Sequence, residues 1–140
     1  MDLTTLLPSL DAMFRWDAPW IEQSPMTKTK VLWVGRETGS WALLAFWKAG
    51  FVAGRHKHLA GAHVFVVSGK MATGDIIMTA GDYIYEPAGV MHEATTAFED
   101  TVQLFISLGP IARLDDAGGI TGVTTWQDIE SLRQSQVNNT

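Results

Sequence analysis

Residues 54–69 read GRHKHLAGAHVFVVSG and contain three of the four histidines of this 140-residue chain. Two of them, His56 and His58, are separated by one residue, and His63 follows a turn-forming LAGA segment. Alternate side chains of a β-strand share a face, so His56 and His58 point the same way with Cα atoms about 6.6 Å apart. Two imidazoles at this spacing can bind one ion through bonds of about 2.0–2.2 Å. The stretch therefore predicts a metal site that begins on a strand.

The fourth histidine, His92, ends a second glycine-containing segment, GDYIYEPAGVMH at 81–92. Its PAG turn can set the direction of the imidazole at the start of a strand. A lone histidine beside an apolar strand is more often a hydrogen-bonded core residue than a ligand, but here all four histidines fall within two such segments. We predict one divalent ion per chain, with three principal ligands and His63 as a fourth. The predicted ligands are His56, His58, His63 and His92.

Composition excludes several classes of protein. Hydrophobic residues make up 46% of the chain and charged residues 18%, which is not the composition of a disordered protein. There is no cysteine, so disulfides, thiolate nucleophiles and cysteine–zinc sites are excluded, and any metal is held by nitrogen and oxygen. The net charge is −5 and no segment concentrates Lys and Arg, which argues against a nucleic-acid partner.

Membrane and secretory segments are not predicted either. The longest apolar run, WALLAFW at 41–47, is far shorter than the roughly 20 residues that a membrane helix requires. The N-terminus has no basic start before an apolar stretch, as a secretory signal would. We therefore expect a cytoplasmic protein with no membrane partner.

The middle of the chain has the pattern of an all-β protein. Short apolar or alternating runs are interrupted by turn residues at intervals of about 8–12 residues, which is typical of an antiparallel sandwich or barrel. The predicted strands are 30–35, 41–48, 62–68, 75–79, 82–86, 92–97 and 101–108.

The two ends of the chain have different patterns. The N-terminal segment is rich in Trp and Pro and is predicted to form an arm over the core or over a partner, with Phe14, Trp16 and Trp20 as its aromatic residues. The C-terminal segment predicts a short helix across an open end of the barrel, with apolar residues at helical spacing and a capping box at its start. The predicted organisation is an arm at 1–28, a barrel at 29–123, and a helix with a tail at 124–140.

Both histidine segments resemble the two sequence motifs of the cupin superfamily. Residues 54–69 resemble the first motif, and residues 81–92 match the second at Gly81, Pro87, Gly89 and His92. The resemblance implies a double-stranded β-helix, a small jelly-roll barrel that holds a metal ion inside. The general motif has a glutamate ligand at the place where this chain has His63.

A narrower similarity covers more of the chain. Residues 30–50, 80–96 and 103–122 are similar to the 2,4'-dihydroxyacetophenone dioxygenase group of small cupins, and more distantly to acetylacetone dioxygenase and to the cupin domain of zinc-binding anti-sigma factors. This similarity implies ferrous iron and O2, used to cleave a carbon–carbon bond beside a carbonyl in a small hydroxyketone or diketone. Zn, Ni or Mn are the alternative ions, since supply as well as ligands decides the metal bound.

Two other functions remain open, because one fold hosts many chemistries. One is a non-catalytic metal or ligand sensor, as in the anti-sigma relatives. The other is a metal-dependent isomerase or lyase. Four neutral imidazoles would leave a divalent ion its full charge, which favours a bidentate, anionic or enolisable oxygen ligand.

Strand phase suggests which side chains accompany the metal. Gln103, Phe105 and Ser107 share one face of 101–108 and offer a polar group near an aromatic wall. Core packing is an equally good explanation for these positions, and for the aromatic residues that could line the same cavity, Trp41, Trp47 and Phe65.

The acid–base candidates lie beside the metal segments. Tyr85, Glu86 and Glu93 flank them, and alternation turns Glu93 outward because it directly follows His92. Asp75 is closest to the place where the related dioxygenases carry an acidic residue, but it fits a solvated turn better than a ligand. The candidate catalytic residues are Gln103, Phe105 and Tyr85.

Assembly is predicted from the apolar arm and from the strand edges. Unpaired edges and apolar patches associate readily, so we expect a homodimer.

Overall fold

The computed structural model describes residues 19–138, so the predicted arm residues Phe14 and Trp16 lie outside the described chain. Over these residues the protein is almost entirely β-structure. The strands are β1 (Ile21–Ser24), β2 (Thr27–Gly35), β3 (Ser40–Trp47), β4 (Val52–Ala53), β5 (His56–His58), β6 (Ala62–Ser68), β7 (Lys70–Thr73), β8 (Ile76–Thr79), β9 (Tyr83–Glu86), β10 (Met91–His92), β11 (Thr95–Ala97), β12 (Thr101–Ser107), β13 (Ile111–Leu114) and β14 (Ile120–Thr124). The helix of the described chain, α1, is Trp126–Asn138.

The strands form three antiparallel sheets. The largest has six strands in the order β1-β2-β3-β12-β6-β9, and the two smaller sheets have the orders β10-β5-β13-β14 and β4-β11-β7-β8. Strands far apart in the chain are neighbours, as when β12 pairs with both β3 and β6. Such returns of the chain characterise jelly-roll folds, and the predicted all-β class with a C-terminal helix is confirmed.

The six-stranded sheet has an inner and an outer face. In β6 the inner residues Ala62, Val64 and Val66 are buried, whereas Phe65 and Val67 are each 40% exposed. One apolar cluster forms on the inner side, where Val64 and Val66 pack with Met71 and Met78 from β7 and β8. The alternation of strand side chains thus gives the sheet one face for the core and one for the surface.

Helix α1 packs against β2 and β3 at a second apolar cluster. Ile129 of the helix is buried with Val31 and Trp41 of the sheet. At the helix start the backbone N–H of Thr125 donates to Asp128 at 2.8 Å, as the capping pattern predicts.

Strand boundaries differ from the prediction at one informative place. The segment predicted as a single strand at 92–97 contains two short strands, β10 and β11, which belong to different sheets. The chain crosses between sheets at Glu93 and Ala94, and a run of polar and small residues gives no sign of this change. Among residues 19–138 no helix is long and apolar enough to cross a membrane.

Candidate metal centre

His56 and His58 occupy the two ends of β5 and project from the same face. Their Nε2 atoms are 3.2 Å apart, and their rings meet edge to face with centroids 4.9 Å apart. The Nδ1 of His56 lies 3.0 Å from the Gly54 carbonyl, to which it can donate a hydrogen bond. With the proton on Nδ1, Nε2 keeps the free electron pair that a metal ion requires.

His92 reaches the pair from the neighbouring strand β10. It is the cross-strand partner of His56, and the two rings stack with centroids 5.2 Å apart. The ring of His92 is also 5.3 Å from the ring of His58. The preceding turn is fixed to β5 because the N–H of Gly89 donates to the His58 carbonyl at 2.8 Å, and Gly89 has a φ of 80°, which favours glycine.

Glu86, the last residue of β9, brings a carboxylate to the three imidazoles from the six-stranded sheet. Its Oε2 is 2.5 Å from Nε2 of His58, which is itself only 1% exposed. The turn between β5 and β6 packs closely on the backbone of Glu86, because a Cβ on Gly61 would lie 3.1 Å from the Glu86 main-chain carbonyl oxygen. We call His56, His58, His92 and Glu86 the His–Glu cluster.

The neighbours of Glu86 keep its carboxyl group ionised. Burial raises the pKa of Glu86, but the hydrogen bond to His58 and the other nearby imidazoles have a larger effect and hold the pKa below its ordinary value. Burial also lowers the pKa of His56, assisted by His58 and His92. At neutral pH the cluster therefore offers an ionised carboxylate and a neutral His56, the forms that bind metal.

The donor set fits a divalent metal ion. Donor atoms of His56, His58 and Glu86 all lie within 4.8 Å of one another. Adjacent ligands of an octahedral ion with bonds of about 2.1 Å are about 3.0 Å apart, close to the separation of the two Nε2 atoms on β5. Nε2 of His92 is buried and has no hydrogen bond to the described chain. Since buried polar atoms are nearly always paired, this nitrogen is suited to bind an ion.

A cavity of about 260 Å³ adjoins the cluster inside the barrel. Its wall is mostly apolar and is contributed by all three sheets. The residues that line it are Gln23, Thr29, Leu43, Ala45, Trp47, Ala53, His56, His58, Val64, Met71, Thr73, Met78, Glu86, Thr95, Gln103, Phe105 and Ile111.

The structure does not bring the predicted fourth ligand, His63, into the cluster. His63 lies in β6 in phase with Phe65, on the outer face of the sheet, and its Nδ1 bonds the hydroxyl of Tyr83. The carboxylate of Glu86 lies at the centre in its place. Glu86 is two residues from Ile84, an inward position, so strand phase was the signal that could have identified it.

The structure places some of the other predicted pocket residues on the cavity wall and the rest elsewhere. Gln103, Phe105 and Trp47 line the cavity as expected, and the Phe105 ring is 5.8 Å from the His58 ring. Three candidates lie elsewhere. Trp41 is buried at the α1 cluster, whereas Phe65 and Tyr85 are on the outer face, Tyr85 being 49% exposed.

Three further candidates also have positions outside the cavity wall. Ser107 is buried, and its hydroxyl donates to the Gly109 carbonyl at 2.7 Å. Glu93 points outward, as alternation predicts, and pairs with Arg55 at 3.3 Å. Asp75 is exposed in the turn between β7 and β8, where a solvated aspartate is expected.

A barrel of this topology with an inward His–Glu cluster defines a cupin. The ChrR cupin-like domain profile matches residues 12–112, which is most of the chain. The protein therefore belongs to the ChrR cupin-like family. A comparison with curated proteins found no match.

Solved structures confirm the predicted cupin fold. An RmlC-like cupin from Ralstonia eutropha JMP134 is 24% identical, with 89% of this chain and 84% of that chain covered and a TM-score of 0.81. An acetylacetone dioxygenase from Acinetobacter johnsonii is 21% identical, with 84% and 86% covered and a TM-score of 0.76. The Rhodobacter sphaeroides complex of SigE with the anti-sigma ChrR contains a chain that is 20% identical, with 65% and 49% covered and a TM-score of 0.56. At these identities the similarity establishes the fold.

Proposed function

We propose that this cupin binds one ferrous ion through His56, His58, His92 and Glu86. We further propose that it uses O2 to cleave a carbon–carbon bond beside a carbonyl in a small hydroxyketone or diketone. The observation that carries the proposal is the meeting of the His56 and His58 imidazoles with the Glu86 carboxylate on the wall of a largely apolar cavity, with the His92 ring beside them. The acetylacetone dioxygenase among the structural neighbours supports the choice of reaction.

The ligand set is compatible with iron. Imidazole nitrogen suits Fe, Zn, Ni and Cu, and a carboxylate adds affinity for the harder ions of this group. When bound, the ion acts as a Lewis acid toward a chelating substrate and supplies the electron chemistry with O2. Zn, Ni and Mn are the competing ions for the same donors.

The cluster charge favours a singly charged chelate. One carboxylate reduces the charge of a divalent ion from +2 to +1, and the enolate of a 1,3-diketone would cancel the remainder. A neutral assembly is the least costly charge state in an apolar cavity. This favours a 1,3-diketone or a 1,2-hydroxyketone over a substrate that carries two negative charges.

The protein side chains bind and orient the substrate. Glu86 is a weak base because its pKa is below the ordinary value, so a role as ligand suits it better than proton abstraction. Phe105 contacts His58 and forms the wall beside the reacting end of the substrate. The apolar residues around it exclude water from that end.

We also propose a homodimer formed through the outer face near β9. This strand is the edge of the six-stranded sheet, and Tyr83 and Tyr85 on it are 61% and 49% exposed. Phe65 and Val67 are also exposed on this face, and β9 has no further strand beside it within residues 19–138. Both features favour association.

The test is oxygen consumption by protein loaded anaerobically with ferrous iron. A panel of diketones and hydroxyketones is added, air is admitted, and O2 uptake is recorded together with substrate loss. We expect uptake with wild type and with His63→Ala, and none with His58→Ala. If no compound is consumed, no compound perturbs the iron spectrum, and zinc persists through purification, the dioxygenase proposal is wrong.

One alternative has specific support. Membership of the ChrR cupin-like family and the structural neighbour from a sigma–anti-sigma complex favour a non-catalytic metal or ligand sensor. Tight zinc binding without O2 consumption would support this function. A metal-dependent isomerase or lyase would instead convert a panel compound without O2.

A further inference from the structure

Gln103 differs from the other polar residues of the cavity wall that lie outside the His–Glu cluster. It is only 4% exposed, and its amide makes no hydrogen bond to the described chain. The other polar pairs of the wall are satisfied. The Thr29 hydroxyl donates to Gln23, and the hydroxyls of Thr73 and Thr95 are 2.7 Å apart.

The strands beside Gln103 offer its amide no partner. Its cross-strand neighbours are Ala45 on β3 and Val66 on β6, both apolar. The amide of Gln103 keeps contact with the cavity and is not fully enclosed. An amide that faces a cavity without a protein partner is suited to bind a polar group of a ligand there.

Strand register places Gln103 away from the His–Glu cluster. Glu86 lies opposite Ala62, which lies opposite Ser107, so the cluster is level with the end of β12. Gln103 is four residues before Ser107, about 13 Å along the strand. Phe105 lies between these two levels on the same face and contacts His58. A ligand held by the cluster would extend past Phe105 to reach the amide.

The wall between these two points carries no charge. Apart from His56, His58 and Glu86, none of the residues that line the cavity in the described chain is Lys, Arg, Asp, Glu or His. A carboxylate, phosphate or ammonium group on the distal part of a ligand would thus be buried without a counter-charge. Such burial is strongly unfavourable.

We propose that Gln103 determines substrate specificity by bonding a neutral hydroxyl or carbonyl at the distal end of the substrate. The substrate class is then an uncharged, chelating diketone or hydroxyketone with an apolar body and one polar group opposite its metal-binding end. This inference rests on the proposed metal site and deepens the proposed function.

The experiment compares two probes that differ by one hydroxyl, 1-phenyl-1,3-butanedione and 1-(4-hydroxyphenyl)-1,3-butanedione. Dissociation constants are measured by calorimetry without O2, on zinc-loaded wild type and on zinc-loaded Gln103→Leu. In wild type the hydroxyl should strengthen binding by about tenfold, the value of one buried hydrogen bond. In Gln103→Leu the two probes should bind equally, or the hydroxyl should weaken binding. Gln103→Met is a second variant of similar shape, and thermal melting checks that each variant is folded.

A third probe tests the charge of the wall. The 4-carboxyphenyl analogue should bind wild type at least about tenfold more weakly than the phenyl probe, because its carboxylate has no partner. If both neutral probes bind and the hydroxyl has the same effect in wild type and in both variants, the role of Gln103 is refuted and the metal site stands. If the zinc protein binds none of the probes, the proposed function fails together with this inference.

Discussion

Gln136 of α1 makes an unusual pair of hydrogen bonds with the backbone of β2. The Val31 N–H donates to its Oε1 at 2.9 Å, and its Nε2 donates to the Val31 carbonyl at 3.2 Å. The side chain is only 2% exposed. Two backbone groups of a buried strand therefore depend on one amide from a residue 105 positions later.

Replacement by Gln136→Leu keeps the volume of the side chain and removes both bonds. Each backbone group left unpaired costs about 1–3 kcal/mol, so the free energy of unfolding should fall by about 2–6 kcal/mol. Entry of a water molecule would move the result to the lower end of this range. A loss of 2 kcal/mol corresponds to a fall in Tm of about 6 °C for a domain of this size.

The assay is urea unfolding of metal-free protein, followed by circular dichroism. Gln134→Leu is the matched control, because Gln134 is an exposed residue of the same helix and its bond to Glu130 is on the surface. We expect the control to change the free energy of unfolding by less than about 0.5 kcal/mol. If Gln136→Leu is as stable as the control with an unchanged m-value, the assigned role of the amide pair is wrong.

Three further predictions follow from the site and the outer face. His92→Ala should weaken zinc affinity by at least about tenfold, whereas His63→Ala should leave it unchanged in a competitive chelator titration. A comparable loss with both variants would restore the four-histidine site. In metal-free protein the pKa values of His56 and Glu86 are lowered, so the unfolded state binds more protons than the folded state as the pH falls. The free energy of unfolding should therefore decrease below pH 6.5 because of His56, and again below pH 4.5 because of Glu86. Urea midpoints measured against pH check this, and Glu86→Gln should reduce the loss below pH 4.5, the rest of which comes from other carboxylates such as Glu130, whose pKa is lowered to about 2 by contact with Arg133. Light scattering should give twice the chain mass of 15.4 kDa for wild type and a single chain mass for Tyr83→Lys, and a wild-type monomer would contradict the dimer.

Much of the sheet can be predicted because its strands carry their boundaries in the sequence. The strand predicted at 62–68 is observed over the same residues, since a turn glycine stands on each side of it. The segment at 92–97 failed because a change of sheet depends on contacts with distant strands. Sequence patterns show where a strand starts and ends, but they do not identify its neighbours.

The histidine pair on β5 is predictable for a similar reason, and Glu86 shows where such prediction ends. Alternation within His56–His58 needs no knowledge of the rest of the fold. In AHVFVVS both faces are apolar, so the sequence cannot tell whether Val64 or Phe65 faces the core. The structure turns Val64 inward, and this places His63 outside.

A metal site with Glu86 as a ligand in place of His63, as we propose, would select substrates of a different charge. A divalent ion held by imidazoles alone would keep a charge of +2 and would attract dianions such as phosphate or oxalate. With one carboxylate ligand the charge is +1, so a dianion would leave a net negative charge beside the apolar wall at Phe105, at a high cost in desolvation. A singly charged enolate leaves none. With the ligands that we propose, the carboxylate would select the charge of the chelating end of the substrate. The uncharged wall around Gln103 would select against charge at the distal end, so both would favour the same class of compound.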